Sequence, residues 1–487
     1  MAEPRTYDVV VIGAGAVGEN AADRAGRTGL SVVIVESELV GGECSYWACM
    51  PSKALLRPGQ VLADARGVGG AAQAVTGGVD AAATLARRDS FTSHWDDSGQ
   101  VEWLDSTGID LVRGQARLAG ERVVDVETDG GVVRLTARHA VVVATGSEPM
   151  VPPVDGLAEA NPWTSREATA AEQVPESLLV LGGGVVGVEM ATAYRDLGAE
   201  VTLVVRGDRV LAGAEPFASE ALGESLAGLG VDVRYRTEVT AVRRDDAGVV
   251  AELRSGEVVR AAQILVATGR RPRTGELGVE SVGLEPGAPI AVNDQLEATG
   301  VAGGWLYAVG DVTGRVGTTH QGKYDARVVG DVIAARFGQG GSAEAAQGAP
   351  SEASRGDQLY TRFSAGADHG AQPQVVFTRP EVAWVGRTAE QARAAGIDVR
   401  VLDVPLRSAA GTSLHSDDAD GQVRLVLDEV RGVVVGATFV GPGVAEMLHA
   451  ATIAVVGEVP LDRLWHAVPA YPTMSEVWLR LLEAAGL

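Results

Sequence analysis

Apolar residues in this chain come in short unbroken runs, and several of these runs close on glycine. The first covers residues 8–12 and leads into Gly13-Ala14-Gly15-Ala16-Val17-Gly18. A run of that length and composition predicts a buried strand, and the glycines predict a tight turn after it. Residues 20–28 then read as a helix and residues 31–35 as a second strand, with Glu36 at its end. The same order recurs further on. Residues 178–181 form a strand, Gly182-Gly183-Gly184-Val185-Val186-Gly187 the turn, residues 188–197 a helix, and residues 201–205 a strand that ends in Arg206. Two G-x-G-x-x-G turns, each between a strand and a helix and each followed by a charged residue after the second strand, make a strong dinucleotide-binding signal where one would be weak.

Three more apolar runs end in glycine. They are residues 140–147, with Thr145-Gly146, residues 264–270, with Gly269, and residues 306–311, with Gly310-Asp311. Each predicts a strand running into a turn where backbone can approach a ligand closely. Residues 65–86 and 338–356 are rich in alanine and glycine. The first has uncertain helical character, and the second reads as a surface linker or insertion. Beyond it the pattern changes to short strands at 374–377, 383–385, 399–404, 421–427 and 433–439, a largely antiparallel set, followed by helices at about 444–456 and 473–485.

With 487 residues there is room for several domains. The net charge of −23 and the absence of an obvious basic face argue against nucleic acid as a partner. No apolar run reaches the roughly 18 residues of a membrane helix. The strand expected from residue 7 leaves no room for a signal peptide. With no wider cysteine framework, a cytoplasmic location is expected.

The residues that close the two fingerprints differ in charge. Glu36 can accept hydrogen bonds from both ribose hydroxyls of an adenosine and repels a 2′-phosphate, which suits FAD or NAD. Arg206, with Arg209 nearby, suits a 2′-phosphate and hence NADPH, with NADH possible. One chain with both kinds of site can carry electrons from a nicotinamide to a flavin.

Both cysteines of the chain, Cys44 and Cys49, stand in the run Gly41-Gly42-Glu43-Cys44-Ser45-Tyr46-Trp47-Ala48-Cys49-Met50-Pro51-Ser52-Lys53. Five residues of regular helix separate two Cα atoms by about 7.5 Å along the axis. A disulfide needs about 4.4–6.8 Å. The segment is therefore expected to be a distorted turn that feeds a helix. A thiol at such a helix start becomes more acidic, and Lys53, one turn on, can stabilise negative charge.

On these residues the chain resembles the class I pyridine nucleotide-disulfide oxidoreductases, the group of glutathione reductase, dihydrolipoamide dehydrogenase and mercuric reductase. The resemblance rests on the first G-x-G-x-x-G with Glu36, the Gly41-Gly42…Cys44…Cys49-Met50-Pro51-Ser52-Lys53 motif, Thr145-Gly146, the second G-x-G-x-x-G with Glu189, Thr268-Gly269-Arg270, Gly310-Asp311, and Tyr471-Pro472-Thr473-Met474-Ser475-Glu476. It implies an α/β fold with two Rossmann-like dinucleotide-binding domains and an α+β C-terminal dimerisation domain. The expected boundaries are 1–155 for the first part of the FAD-binding domain, 156–284 for the NAD(P)-binding domain and 285–345 for the FAD-binding return. A linker at 346–368 and the interface domain at 369–487 complete the chain.

The resemblance also implies roles. Gly13, Gly15, Gly18, Glu36 and Asp311 belong to the FAD site, Gly182, Gly184, Gly187, Arg206 and Arg209 to the nicotinamide site, and Gly42, Thr145, Gly146 and Gly269 are cofactor-binding as well. Lys53 and Glu189 pair near the flavin, Cys49 is the thiol closest to it, and Cys44 is the interchange thiol. The active site is completed across a homodimer by the partner's Tyr471 and the partner's Glu476. No metal site is assigned.

The departure lies at Tyr471, where the disulfide reductases of the group carry histidine. Imidazole near pKa 6.5 both accepts and donates protons at neutral pH, whereas a phenol near 10 mostly donates. Oxidation of dihydrolipoamide is therefore not expected, and His466 is the nearest substitute in sequence. Mercury transfer through a C-terminal vicinal cysteine pair is not expected either, because both cysteines lie at 44 and 49. The leading reading is NADPH-dependent reduction of a small disulfide or related electrophile. Reduction of a metal ion or quinone, and a redox-sensing or binding flavoprotein with little turnover, stay open beside it.

Overall fold

The computed structural model describes residues 5–315, 317–339 and 360–487. Most of the alanine- and glycine-rich stretch at 338–356, and residues 346–359 of the expected linker, lie outside the described residues. The chain divides into two compact units. One comprises Met1–Met50, Asp89–Pro149 and Arg270–His369, the other Pro51–Arg88, Met150–Gly269 and Gly370–Leu487.

The first unit is built on a seven-stranded sheet. Its centre is β1 (Arg5–Ile12), followed by α1 (Ala16–Gly26) and β2 (Val32–Glu36). Parallel pairing joins β1 to β2, β2 to Ile109–Arg113, and β1 to Gly131–Val143. Val9, Val10 and Val11 are wholly buried, because helices Ala16–Gly26 and Thr319–Phe337 cover one face of this sheet, and strands Gln115–Leu118 and Val123–Thr128 with the segment around Leu277 and Val279 cover the other. The 13-residue strand Gly131–Val143 has two partners besides β1. Residues up to Thr136 pair antiparallel with Val123–Thr128, while Val141 to Val143 pair parallel with Leu306–Ala308. The antiparallel part (Gln115–Leu118, Val123–Thr128 and the start of Gly131–Val143) adds strands that the glycine-terminated pattern did not announce.

The second unit holds a four-stranded parallel sheet in the order Asp232–Arg234, Glu200–Val204, Ser177–Leu181, Gln263–Val266. An antiparallel meander, Val239–Asp245, Gly248–Leu253 and Val258–Ala261, lies beside it in sequence. The same unit carries a five-stranded antiparallel sheet of Pro373–Val376, Glu381–Gly386, Val433–Gly441, Gln422–Asp428 and Val399–Pro405, in that spatial order. These five strands coincide with the five short runs read from the sequence. Helix Val444–Val456 follows as expected, whereas the last helix starts later, at Val477, after a 3₁₀ turn at Met474–Glu476. Between 65 and 86 the chain leaves a helix at Arg66, makes a 3₁₀ turn at Ala72–Ala74 and enters the helix Ala81–Phe91.

Candidate active site

In the first unit the glycines of the first fingerprint are held by close packing. A Cβ on Gly18 would stand 1.9 Å from the carbonyl oxygen of Gly13, and one on Gly13 2.6 Å from that of Ala144. Gly13 also sits at φ +99°, where a side chain strains the backbone. Gly41 donates its N–H to the Ala14 carbonyl at 2.7 Å, and a Cβ on Gly42 would meet the Gly15 Cα at 2.8 Å. The turn at 13–18 and the start of the cysteine segment are thus knitted backbone to backbone. Glu36 ends β2 with one carboxylate oxygen accepting from the Ala14 N–H at 2.7 Å and the other from the Glu38 N–H at 2.8 Å. Burial raises its pKa, and those two bonds oppose the rise. Each oxygen keeps a second lone pair for a ribose hydroxyl. A bare turn before α1 and an acceptor at the end of β2 fit the pyrophosphate and adenosine of FAD.

Asp311 lies in the 3₁₀ turn Gly310–Thr313 and accepts from the Ser147 hydroxyl at 2.6 Å. Arg270 donates to the same hydroxyl at 2.7 Å and to the Ser147 carbonyl at 2.8 Å. Arg270 and Arg273 approach Glu43 at 3.5 and 3.4 Å. Glu43 is the residue immediately before Cys44, so this chain of contacts runs from Asp311 to the cysteine segment. Thr145 gives its hydroxyl to the Arg273 carbonyl, and Gly146 turns at φ +70° to accept from the Arg273 N–H.

The cysteine segment is broken as the spacing requires. It consists of α2 (Gly42–Tyr46), a residue out of helical geometry at Trp47 (φ −137°, ψ 2°), and α3 (Cys49–Arg66), which Cys49 opens. Cys44 and Cys49 are free, half-buried thiols. Cys49 Sγ and Thr319 Oγ1 share a hydrogen bond of 3.2 Å. The hydrogen bond to Cys49, then burial, then the charge of Cys49 drive the Cys44 thiol far above its ordinary pKa. Thr319 and Lys323 pull it down by less. Two thiols in contact cannot both ionise cheaply, so the pair loses its protons in two well-separated steps. Thr319 carried no signal in the sequence; it stands eight residues after Asp311 and reaches Cys49 only through the fold.

In the second unit Lys53 Nζ donates to Glu189 at 2.7 Å. The other Glu189 oxygen accepts the Phe377 N–H at 3.0 Å, and Lys53 stands over the Phe377 ring at 4.9 Å. Glu189 is 3% exposed, in the helix Val185–Asp196 that Gly187 lets pack tightly: a Cβ there would meet the Gly182 carbonyl at 1.9 Å. Gly182 itself turns at φ +112°, and Gly184 leaves open space where a Cβ would stand. Gly269, after the strand Gln263–Val266, turns at φ +145°.

A family model described as pyridine nucleotide-disulphide oxidoreductase matches residues 7–326, and the dimerisation domain of the same family matches residues 372–482. The chain belongs to this family. It is similar over 485 residues, at 34% identity, to dihydrolipoyl dehydrogenase 3 of Pseudomonas aeruginosa, covering 97% of this chain and 96% of that one. It is 32% identical over 482 residues to the mercuric reductase of Streptomyces lividans, covering 96% and 94%. Among solved structures its fold matches LpdA from Mycobacterium tuberculosis with a TM-score of 0.81 at 24% identity over 99% of both chains. It also matches the flavoprotein disulfide reductase RclA from Escherichia coli, with a TM-score of 0.81 at 23% identity over 98% and 99%. As a member of this family the chain is an oxidoreductase that uses FAD and NAD(P)H, and it carries the family's dimerisation domain.

The family's C-terminal motif is rearranged here. Tyr471 is 76% exposed, and its hydroxyl has no hydrogen-bond partner among the described residues. Glu476, 7% exposed, accepts from Arg480 at 2.8 Å and from the Ala410 N–H at 3.2 Å. Arg480 lies one helical turn on, where an (i, i+4) pair meets, so Arg480 and Ala410 take one carboxylate oxygen each and Tyr471 takes neither. His466 is exposed.

Nor does the second fingerprint present its two arginines together. Arg206 is exposed and has no partner among the described residues. Arg209 donates to the Ala212 carbonyl at 3.2 Å and lines a cavity that Arg206 does not.

One titratable group beside the FAD fingerprint went unread in the sequence. Glu19, on α1, has its pKa raised to about 7 by burial and by the charge of Glu36, against the pull of Lys323. A carboxyl raised from its unfolded value near 4.5 stabilises the fold below that value and loses its contribution as pH rises through 7. Glu19→Gln is therefore expected to match wild type near pH 4.5 and to exceed it by about 3 kcal/mol at pH 8, from about 1.4 kcal/mol per pK unit. Urea denaturation at the two pH values measures the difference, and equal stabilities at pH 8 would contradict it.

Proposed function

We propose that this chain is an NADPH-dependent flavoprotein reductase that delivers electrons through the Cys44–Cys49 pair to a small disulfide or related electrophile. The observation that carries this reading is the pair itself: two thiols in contact, one at the start of α3 and bonded to Thr319, the other in a segment knitted to the FAD fingerprint. FAD, held by the turn at Gly13–Gly18, by Glu36 and by Asp311, would supply the two-electron chemistry that links the nicotinamide to the cysteine pair. Cys44 gives up its proton as its sulfur attacks one sulfur of the acceptor disulfide, and one thiolate leaves. Cys49 then attacks Cys44 of the mixed disulfide, releases the second thiolate, and restores the Cys44–Cys49 bond. The acceptor gains two electrons and two protons.

In this reading the Lys53–Glu189 pair stands by the flavin, the active site is shared across a homodimer, and the partner's Tyr471 serves as proton donor to a leaving thiolate. Among the described residues no helix is long and apolar enough to cross a membrane. A cytoplasmic location goes with this reading, since the chain's two cysteines form one pair and leave none for a wider disulfide framework. Arg206 supplies the recognition of the 2′-phosphate. Arg206→Ala is expected to cost at least tenfold in kcat/KM for NADPH and to leave NADH nearly unchanged; an unaltered preference would remove that role.

A second reading has a metal ion or quinone as acceptor. The exposed, unorientated Tyr471 favours it, since a metal ion takes electrons without protons and a quinone takes its two protons from water, and so does the likeness to proteins named mercuric reductase. Steady-state turnover of a panel of disulfides, quinones and metal ions under NADPH separates the two. Turnover confined to disulfides supports the first reading, and turnover confined to quinones or metals supports the second.

A further inference from the structure

Within the second unit a cavity of about 240 Å³ opens between the turn at 209–216 and the segment at 388–393. Its walls include Arg209, Glu215, Thr388, Glu390, Arg393 and Arg424. We propose that this cavity binds a small multiply charged oxyanion of the phosphate class, held between Arg209 and Arg393.

The charges in the wall sort themselves by partner. Arg424 is committed: it donates to Asp403 at 2.8 and 2.7 Å and to Glu215 at 2.9 Å. Glu215, 2% exposed, spends its second oxygen on the Ala389 N–H at 2.7 Å. These two residues form a floor whose charges are matched. Arg209 and Arg393 have no carboxylate within ion-pair distance among the described residues. The Arg209 Nε is buried without any hydrogen-bond acceptor, which is costly in a folded chain unless something outside the chain supplies one. Glu390, on the same helix turn as Arg393, is the one carboxylate in the wall outside the floor pair and sets an upper limit on how much negative charge enters.

Size decides the class. Sites for drug-sized ligands run from about 300 to 1,000 Å³. This cavity is smaller, which suits a compact anion and not a whole dinucleotide. The planar guanidinium fork is the group that grips a tetrahedral oxyanion by two bonds at once. Such an anion would tie the loop that follows Arg206 to the C-terminal sheet domain within one compact unit. The site asks nothing of the FAD or of the cysteines, so its failure and the failure of the proposed function are separate events.

The test uses the FAD-loaded enzyme and inorganic phosphate, with sodium chloride at matched ionic strength as control. Phosphate is expected to raise the melting midpoint saturably where chloride does not. Calorimetry is expected to show at least tenfold weaker phosphate binding in Arg393→Ala and in Arg209→Ala, and unchanged binding in Arg206→Ala. Arg393→Ala, an exposed substitution, is expected to keep NADPH-dependent turnover. A midpoint that moves equally with chloride and phosphate overturns the site. So does phosphate binding that survives Arg393→Ala, and so does binding lost in Arg206→Ala alone, which would locate the anion at the nucleotide end.

Discussion

Cys44→Ala is expected to abolish disulfide turnover, with a loss of about 10³-fold or more in kcat/KM, or about 4 kcal/mol of transition-state stabilisation. The size follows from the chemistry. Cys44 forms and breaks the bond to the acceptor, and no other cysteine exists in the chain to take its place. Cys49 cannot substitute, since resolution of the mixed disulfide needs a second thiol on the protein. Thiol counting gives a readout apart from turnover. After NADPH reduction and denaturation the wild type is expected to yield two reactive thiols where the oxidised enzyme yields none. Cys44→Ala is expected to yield one in both states. Quinone reduction that persists in Cys44→Ala while disulfide turnover disappears would place the cysteines downstream of the flavin for disulfides alone. Disulfide turnover that survives the substitution would remove Cys44 as the interchange thiol.

Lys53→Met is expected to destabilise the protein by about 3 kcal/mol, an effect at the lower end of those seen when one partner of a buried ion pair is removed. The asymmetry between the partners sets this estimate. Glu189 is almost fully buried, so its carboxylate loses its cation with no water to replace it. The Lys53 side chain is 35% exposed, and that exposure screens part of the interaction. Lys53→Met with Glu189→Gln together is expected to recover most of the loss, because the amide oxygen of Gln still accepts the Phe377 N–H and no charge stays buried. Equilibrium unfolding in urea measures both. Equal stability of Lys53→Met and wild type would show that Glu189 is satisfied without the lysine.

The site was legible in the sequence to the extent that its parts depend on neighbours in the chain. Glycines at 13, 15 and 18 declared themselves because they follow an apolar run, and at 13 and 18 the structure shows why they are needed: carbonyl oxygens pack where side chains would stand. The break between Cys44 and Cys49 followed from helix geometry alone. The Lys53–Glu189 pair was expected through resemblance, and the fold brings the two into contact across 136 positions. Contacts of comparable range that no motif announces stayed hidden. Thr319 meets Cys49 across 270 positions, and Arg273 meets Glu43 across 230. Glu476 was read through its motif, yet a nearer arginine claims its carboxylate. Arg209 was read through its spacing from Arg206, yet its side chain faces a cavity lined partly by residues near 390.

By itself, then, the sequence determined the two nucleotide fingerprints, the redox pair and the five strands of the C-terminal sheet. Each is written in short-range periodicity or in residues that must lie adjacent in the chain. Only the tertiary structure decided that Thr319 reaches Cys49, which carboxylates are buried and where the arginines point. Those depend on desolvation and on partners hundreds of residues away, and neither leaves a local trace in the order of amino acids.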